Sequence, residues 1–416
     1  SDRMLLLDKN GSIGVGNSDF SDTLTLTTLT PSGNQFNYFT RFLPMPMTAA
    51  ATLDEPGLPD VAMAFNESGS KGYIVGLGHQ LYTGADTGVT YLPIVMSSTD
   101  GGDTWSSPTQ LSISALVRTA LGVTWNPTCG WELSATVDQN GNLHILTSVS
   151  RSLYSFDTLA SGASNMALVD IVTDGSTVLS VKKLGNPNSY RGLIGLSTTG
   201  QLTSDLRPCA SRNLNGDKLF FNWFETQSSL SSTNNKPDWW MAAYDVASGI
   251  YTTARNMTAG TAMEGKIIFG SAATHVLSTT LPNGTTDYEV PVTYTALGAA
   301  GSLADSVFHK YIQGGKINSS VFVAGVSISS SAGTNLCSGA STTLTSSSTT
   351  GNQWHRNGVA ISGATSSTYS ATQAGLYYTV VGPDTSNRIT LVAVTSPATP
   401  TVSPAGPLTL CAGTPL

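Results

Sequence analysis

Two groupings in this 416-residue sequence have side chains suited to holding a ligand. The first is aromatic: Asn234-Asn235-Lys236-Pro237-Asp238-Trp239-Trp240 sets two indoles beside a carboxylate and carboxamides, with Trp125, Asn126 and Trp131 as a second candidate cluster. Aromatic faces stack on the apolar faces of sugars while Asn and Asp meet the hydroxyls. The plainer alternative is that these Trp residues fill the core between sheets. The second grouping is Asp54, Glu55 and Asp60, in a Pro- and Gly-containing loop. Its oxygens suit Ca²⁺, although a solvated acidic loop needs no ion. No other metal or cofactor is expected. The five histidines, His79, His144, His275, His309 and His355, lie far apart and read as surface or packed residues. There is no G-x-S-x-G elbow, no phosphate-binding glycine loop and no H-E-x-x-H helix.

The elements that must position these groups are strands. Charged residues make up only 11% of the chain, while Gly (42), Pro (19) and abundant Ser and Thr supply polarity, the composition of a turn-dense all-β protein. A net charge of -7 gives no basic patch for a phosphate backbone, so nucleic acid is excluded as a partner. Apolar stretches break well before the roughly 18 residues of a membrane span, and no transmembrane segment is expected. The segments 60–66, 132–138 and 209–215 each run into a turn, at Gly69, Gly141 and Gly216, and each turn leads into a second apolar run. Hairpins repeating at intervals of about 70 to 75 residues predict a β-propeller. The four cysteines form no CxxC pair, and one long-range disulfide, Cys129 to Cys209, is open to the chain.

The segment Ser98-Thr99-Asp100-Gly101-Gly102-Asp103-Thr104-Trp105 resembles the Asp-box, S-x-D-x-G-x-T-W, at every defined position. The resemblance implies a propeller in which Asp100 gathers N–H groups of its own turn, Gly102 permits the bend, and Trp105 packs on a neighbouring strand, with Ser98 and Thr104 completing the motif. Sialidases and non-enzymatic propellers both carry it, away from the binding face. A sialidase would need an arginine triad, drawn here from Arg3, Arg41, Arg118, Arg151, Arg191, Arg207, Arg212 and Arg255. Its early F/Y-R-I-P motif is echoed only loosely by Phe39-Thr40-Arg41-Phe42-Leu43-Pro44.

After a small-residue linker near residue 330, Gln353-Trp354, Asn357-Gly358 and Gly375-Leu376-Tyr377 follow the order of an immunoglobulin-like sandwich, with Trp354 central and Tyr377 as a tyrosine corner. This segment resembles the tandem Ig-like modules of secreted Bacteroidetes proteins. Cys337 lacks a late partner and reads as an unpaired core residue. A second module opening at Cys411, 74 residues after Cys337, leads us to expect further modules beyond Leu416. The start at Ser1, without an apolar leader, is what a mature secreted chain would show.

The expected architecture is therefore all-β: a propeller of six to eight blades over 1–320, an Ig-like sandwich over 325–395, and a linker with the start of another module over 396–416. The resemblance implies a secreted cell-surface adhesin or recognition protein, exported by the type 9 secretion machinery of the outer membrane and binding glycans or surface proteins. The alternatives are a sialidase-like, polysaccharide-degrading glycoside hydrolase and a structural component of a surface filament. Bacteroidetes-type O-glycosylation triplets occur at Thr23, Thr158 and Ser306.

Overall fold

The computed structural model describes residues 4–13, 18–46, 58, 60–78, 91–151, 166–187, 195–196, 202–203, 206–231, 234–297, 307–312, 315–322, 326–337, 339–381, 384–386 and 388–394. The chain forms two compact units, Ser1–Phe322 and Val323–Leu416. No helix among the described residues is long and apolar enough to cross a membrane.

The first unit is a succession of antiparallel sheets in chain order. It opens with β1 (Met4–Ile13), β2 (Ser18–Ser32) and β3 (Gln35–Pro44). Next come β4 (Val61–Phe65), β5 (Gly72–Gly78), β6 (Leu92–Ser98) and β7 (Thr109–Gln110), followed by the helix α1 (Ser114–Leu121). The next sheet is the meander β8 (Pro127–Val137), β9 (Leu143–Arg151), β10 (Met166–Thr173) and β11 (Val178–Gly185). A short ladder of β12 (Gly195–Leu196) and β13 (Leu202–Thr203) intervenes. Then come β14 (Cys209–Arg212), β15 (Lys218–Thr226), β16 (Pro237–Asp245), β17 (Ile250–Tyr251) and β18 (Arg255–Asn256). The unit closes with β19 (Ile268–Ala272), β20 (Leu277–Thr280), β21 (Thr286–Glu289), β22 (Val292–Leu297), β23 (Val307–Ile312) and β24 (Lys316–Asn318), ordered β19-β22-β23 and β20-β21-β24.

These sheets pack face to face as propeller blades. Their first strands, β4, β8, β14 and β19, lie beside one another in sequence. The middle strands of the central blades are covered on both faces, and β5 and β10 are buried at every position. Side chains alternate across a strand, so neighbours enter different cores. Ile145 packs toward Tyr73 and Val95, whereas Leu146 packs toward Phe221 and Trp223. Likewise Phe220 faces Tyr288 and Val292 of the last sheets. The amino-terminal sheet places Leu24 against Ile74 and Ile94.

The three foreseen hairpins are present as β4–β5, β8–β9 and β14–β15, and Gly69, Gly141 and Gly216 take the positive φ that their turns require. The helix α1 was not signalled by any long apolar period; it spans only eight residues and ends on Gly122 in the left-handed region.

The second unit is a β-sandwich. One sheet has the order β25 (Ile328–Ser330), β27 (Thr342–Ser346) and β30 (Thr368–Ala371), the intervening β26 (Asn335–Cys337) belonging to the other. That other sheet runs β26-β33-β31-β28-β29, with β28 (Asn352–Arg356), β29 (Val359–Ala360), β31 (Gly375–Val381) and β33 (Ile389–Val394), while β32 (Asp384–Thr385) pairs on β31. Trp354 and Tyr377 fill the core with Leu344 and Leu391. The Tyr377 hydroxyl donates to the carbonyl of Gln373 at 2.8 Å, closing a tyrosine corner. Cys337 is not a core residue: Leu336 takes the inward position of β26, and alternation turns Cys337 to solvent.

Candidate functional site

The two ends of the blades differ in the length of their connections. At one end the chain reverses in tight turns, at 66–71, 138–142, 213–217 and 246–249. At the opposite end consecutive strands are separated by longer stretches of sequence, of which 111–126, 206–208, 227–231 and 234–236 are described. Long connections held by a rigid scaffold are where binding residues concentrate, and the first strands of the blades all begin at this end.

Three side chains meet there because the inner strands bulge. In β8 the register shifts between Cys129 and Leu133, leaving Gly130, Trp131 and Glu132 opposite a single residue of β9. A Cβ at Gly130 would lie 2.1 Å from the Ser148 hydroxyl, so any side chain at this bend must displace that hydroxyl. The bulge carries Glu132 toward the next blade, where its carboxylate accepts the N–H groups of Leu206 (3.2 Å) and Arg207 (3.1 Å). Arg207 is held at φ 44°, and its guanidinium lies 5.7 Å from the centre of the Phe269 ring. Phe269, at φ 50°, stands in a second bulge, between Ile268 and Ser271 of β19. Left-handed non-glycine residues cost about 1–3 kcal/mol each and collect where a site over-determines its backbone. Here two of them touch each other.

Neighbouring groups extend the constellation. Asp60, just before β4, accepts the N–H groups of Val61 (2.8 Å) and Leu133 (3.0 Å), repeating the link that Glu132 makes one blade later. Trp223 and Trp240 stack with ring centres 6.3 Å apart, and both indoles donate to Glu225, one to its carboxylate and one to its carbonyl. A guanidinium, an aromatic face and carboxylates at one mouth can grip a saccharide by charge, hydrogen bonding and stacking. The sequence named Arg207 only as one of eight arginines open to a triad and did not name Phe269; the further signals available were Gly130 and Gly270, each breaking an apolar strand.

The expected aromatic cluster is only partly realised. Trp239 is fully buried between blades, with its indole donating to Asn222 (3.0 Å), so it is a packing residue and not a ligand contact. Asp238 is equally buried and accepts from Thr258 (2.9 Å), Gly265 (2.8 Å) and Asn256 (3.0 Å). Two-sided burial forces this outcome, because whichever face a residue of β16 takes, it meets another blade. Trp240 is partly buried. Trp125 is partly buried between α1 and β8, and Trp131 stands in the bulge with its side chain outside the described residues.

The Asp-box lies at the tight-turn end. Asp100 accepts from the Ser98 hydroxyl (2.8 Å), the Thr104 N–H (2.9 Å) and the Thr104 hydroxyl (2.6 Å). That Thr104 hydroxyl, first among these donors, holds the carboxyl well below the usual carboxylate range. Trp105 donates to the carbonyl of Gly102 (3.2 Å) and meets Phe65 edge-on. Arg41 donates to the carbonyls of Gly102 and Asp103, and Arg212 pairs with Glu67 at 3.1 Å. These two arginines serve the tight-turn end and do not join Arg207.

Cys129 and Cys209 are free thiols. They enter different layers, Cys129 packing with Val95 and Val149 and Cys209 against the core that holds Phe220 and Tyr288, so no disulfide joins them. Burial pushes the Cys129 thiol up to about 12, which leaves it inert. Asp54 and Glu55 lie outside the described residues, as do Thr158 and Ser306; Thr23 is a half-buried residue of β2. Among the described residues no group of three or more His, Cys, Asp or Glu could hold a metal.

A second polar constellation is sealed between blades. His144 Nδ1 lies 2.8 Å from Asp170 Oδ2, and the Tyr251 hydroxyl donates to that same oxygen at 2.7 Å. Nε2 lies 3.6 Å from Asp138, and the Tyr244 ring covers the imidazole at 5.5 Å. Burial alone would lower the His144 pKa, but Asp170 and Asp138 override it and hold the imidazole protonated up to about 9. With His144 and Asp170 fully buried, the cluster is structural.

No protein-family profile and no curated protein matches the chain. Solved structures resembling it include a family 43 glycoside hydrolase, a β-1,3-galactosidase, at 9% identity and TM-score 0.35, over 74% of this chain and 86% of that one. The Trypanosoma rangeli sialidase bound to sialic acid gives 11% identity and TM-score 0.35, over 74% of this chain and 42% of the other. An ulvan lyase gives 9% and 0.32, over 88% of each. The propeller itself is read from this chain's own sheets.

Proposed function

We propose that this chain is a secreted, cell-surface recognition protein of Bacteroidetes type, with a propeller over about residues 1–320 as its glycan-binding head. In this reading the sandwich, over about 325–395, is an Ig-like module of a stalk that 396–416 continues, and the type 9 secretion machinery of the outer membrane exports the whole. The observation that carries the binding role is the Arg207–Phe269 pair, two strained residues held against each other at the long-connection end. Cations lie over rings elsewhere in the chain, and this pair differs from them in that both of its residues hold left-handed backbone. Secretion and the stalk rest on the resemblance of the Trp354 and Tyr377 segment to Bacteroidetes modules.

The test is a glycan array probed with the chain, run beside a reducing-sugar release assay on the glycans it captures. The proposal expects capture without product, and at least tenfold weaker capture by Arg207→Gln. Capture unchanged by that substitution would contradict it.

One observation favours a glycoside hydrolase: two carboxylates belong to consecutive first strands, Asp60 just before β4 and Glu132 in the bulge of β8. Accumulating product, abolished by Asp60→Asn or Glu132→Gln in a folded chain, would establish that reading instead.

A further inference from the structure

The sandwich unit has a pocket of its own. It opens at one end of the core, has a volume of about 540 Å³, and is lined by Arg356, Asn357, Val359, Tyr369, Gln373 and Tyr377 among others. That size is within the range of about 300–1,000 Å³ typical of small-molecule sites. Its walls are fixed. Asn357, at φ 50°, exchanges hydrogen bonds with Leu376, its N–H donating to the Leu376 carbonyl and its Oδ1 accepting the Leu376 N–H, both at 2.8 Å. Gln373 is tied by its carbonyl to the Tyr377 hydroxyl.

Arg356 follows the buried Trp354 by two residues on β28 and so emerges from the same face, at the rim of the core. Arg356 lines the pocket together with Tyr377, the residue opposite it on β31. From Val323 onward the only charged residues are Arg356, Arg388 and Asp384. Arg388 lies over the Tyr378 ring, and Asp384 pairs with Val381 while Arg356 pairs with Tyr377. Four residues of β31 separate those positions, about 13 Å at roughly 3.3 Å per residue. Among the described residues of its own unit Arg356 therefore has no carboxylate partner, and it stands beside the rings of Tyr369 and Tyr377, an apolar lip at the 70%-exposed Val359, and the amides of Asn357 and Gln373.

We infer that this pocket is a second ligand site, taking a carboxylate-bearing saccharide such as a uronic acid unit. The carboxylate pairs with Arg356 in the planar fork a guanidinium offers. The amides take hydroxyls, and the apolar face of the sugar lies on Tyr369 and Val359. The inference is independent of the propeller's ligand.

The experiment is calorimetric titration of the full chain with galacturonate and glucuronate oligosaccharides, their neutral counterparts, and a short peptide bearing only a C-terminal carboxylate. Expected are binding of an acidic saccharide that weakens with salt, at least tenfold loss in Arg356→Gln, and partial retention in Arg356→Lys. Equal binding of neutral saccharides, unchanged affinity in a folded Arg356→Gln chain, preference for the peptide, or no binding at millimolar concentration would each overturn it. Loss in Arg207→Gln with Arg356→Gln unaffected would assign the acidic saccharide to the propeller and likewise overturn this inference.

Discussion

His144 shows how single residues determine stability here. Its imidazole bridges two buried aspartates, and removing one partner of such a group leaves an uncompensated charge, at about 3–5 kcal/mol. Urea unfolding of His144→Ala should show a loss of that size; a loss below about 1 kcal/mol would show the cluster to be slack. The pH dependence has a definite sign. A folded pKa near 9, above the ordinary 6.5, means the His144 contribution is complete below pH 6.5 and is lost as pH rises toward 9. The unfolding midpoint of the native chain should fall across that window, and that of His144→Gln should fall less. Asp100 has the opposite sign: its depressed pKa makes its contribution present above the ordinary 3.8 and lost as pH falls. An NMR titration should show the carboxyl titrating well below 3.8, and Thr104→Val should return it toward that value.

At the scale of elements, the strands were legible because their turns are local: Asn140-Gly141 and Asn215-Gly216 announce hairpins wherever they occur. The Asp-box was legible for the same reason, since Ser98, Asp100 and Thr104 bond to one another. The mouth was not. Arg207 and Phe269 are 62 positions apart, and they meet only because β8 and β19 each bulge, which apolar alternation does not encode. The fate of Trp239 was equally hidden, because a Trp-Trp pair in a two-faced blade sends one indole into each layer. Trp239→Ala should destabilise the chain by about 3–5 kcal/mol in urea, with glycan capture retained by the folded fraction; an unchanged midpoint would contradict its burial. Gly130→Ala should disturb the Glu132 bulge, since its Cβ would clash with Ser148. We expect lowered stability and weakened capture together.

Over the whole molecule, central blades whose middle strands are covered on both faces offer their ends for recognition, and the two ends have diverged. The tight-turn end is closed by the Asp-box, Arg41 and the Arg212–Glu67 pair. The other carries the long connections and the strained pair. The sandwich adds a separate pocket, so each unit has its own prospective ligand. The central claim concerns where a captured glycan sits. Hydrogen–deuterium exchange of the chain, with and without the best glycan from the array, tests it most directly. The account predicts slowed exchange at 127–133, 206–209 and 268–271, with the turns at 99–104, 139–141 and 215–217 unchanged. Protection confined to those turns, or spread evenly over both ends, would contradict it.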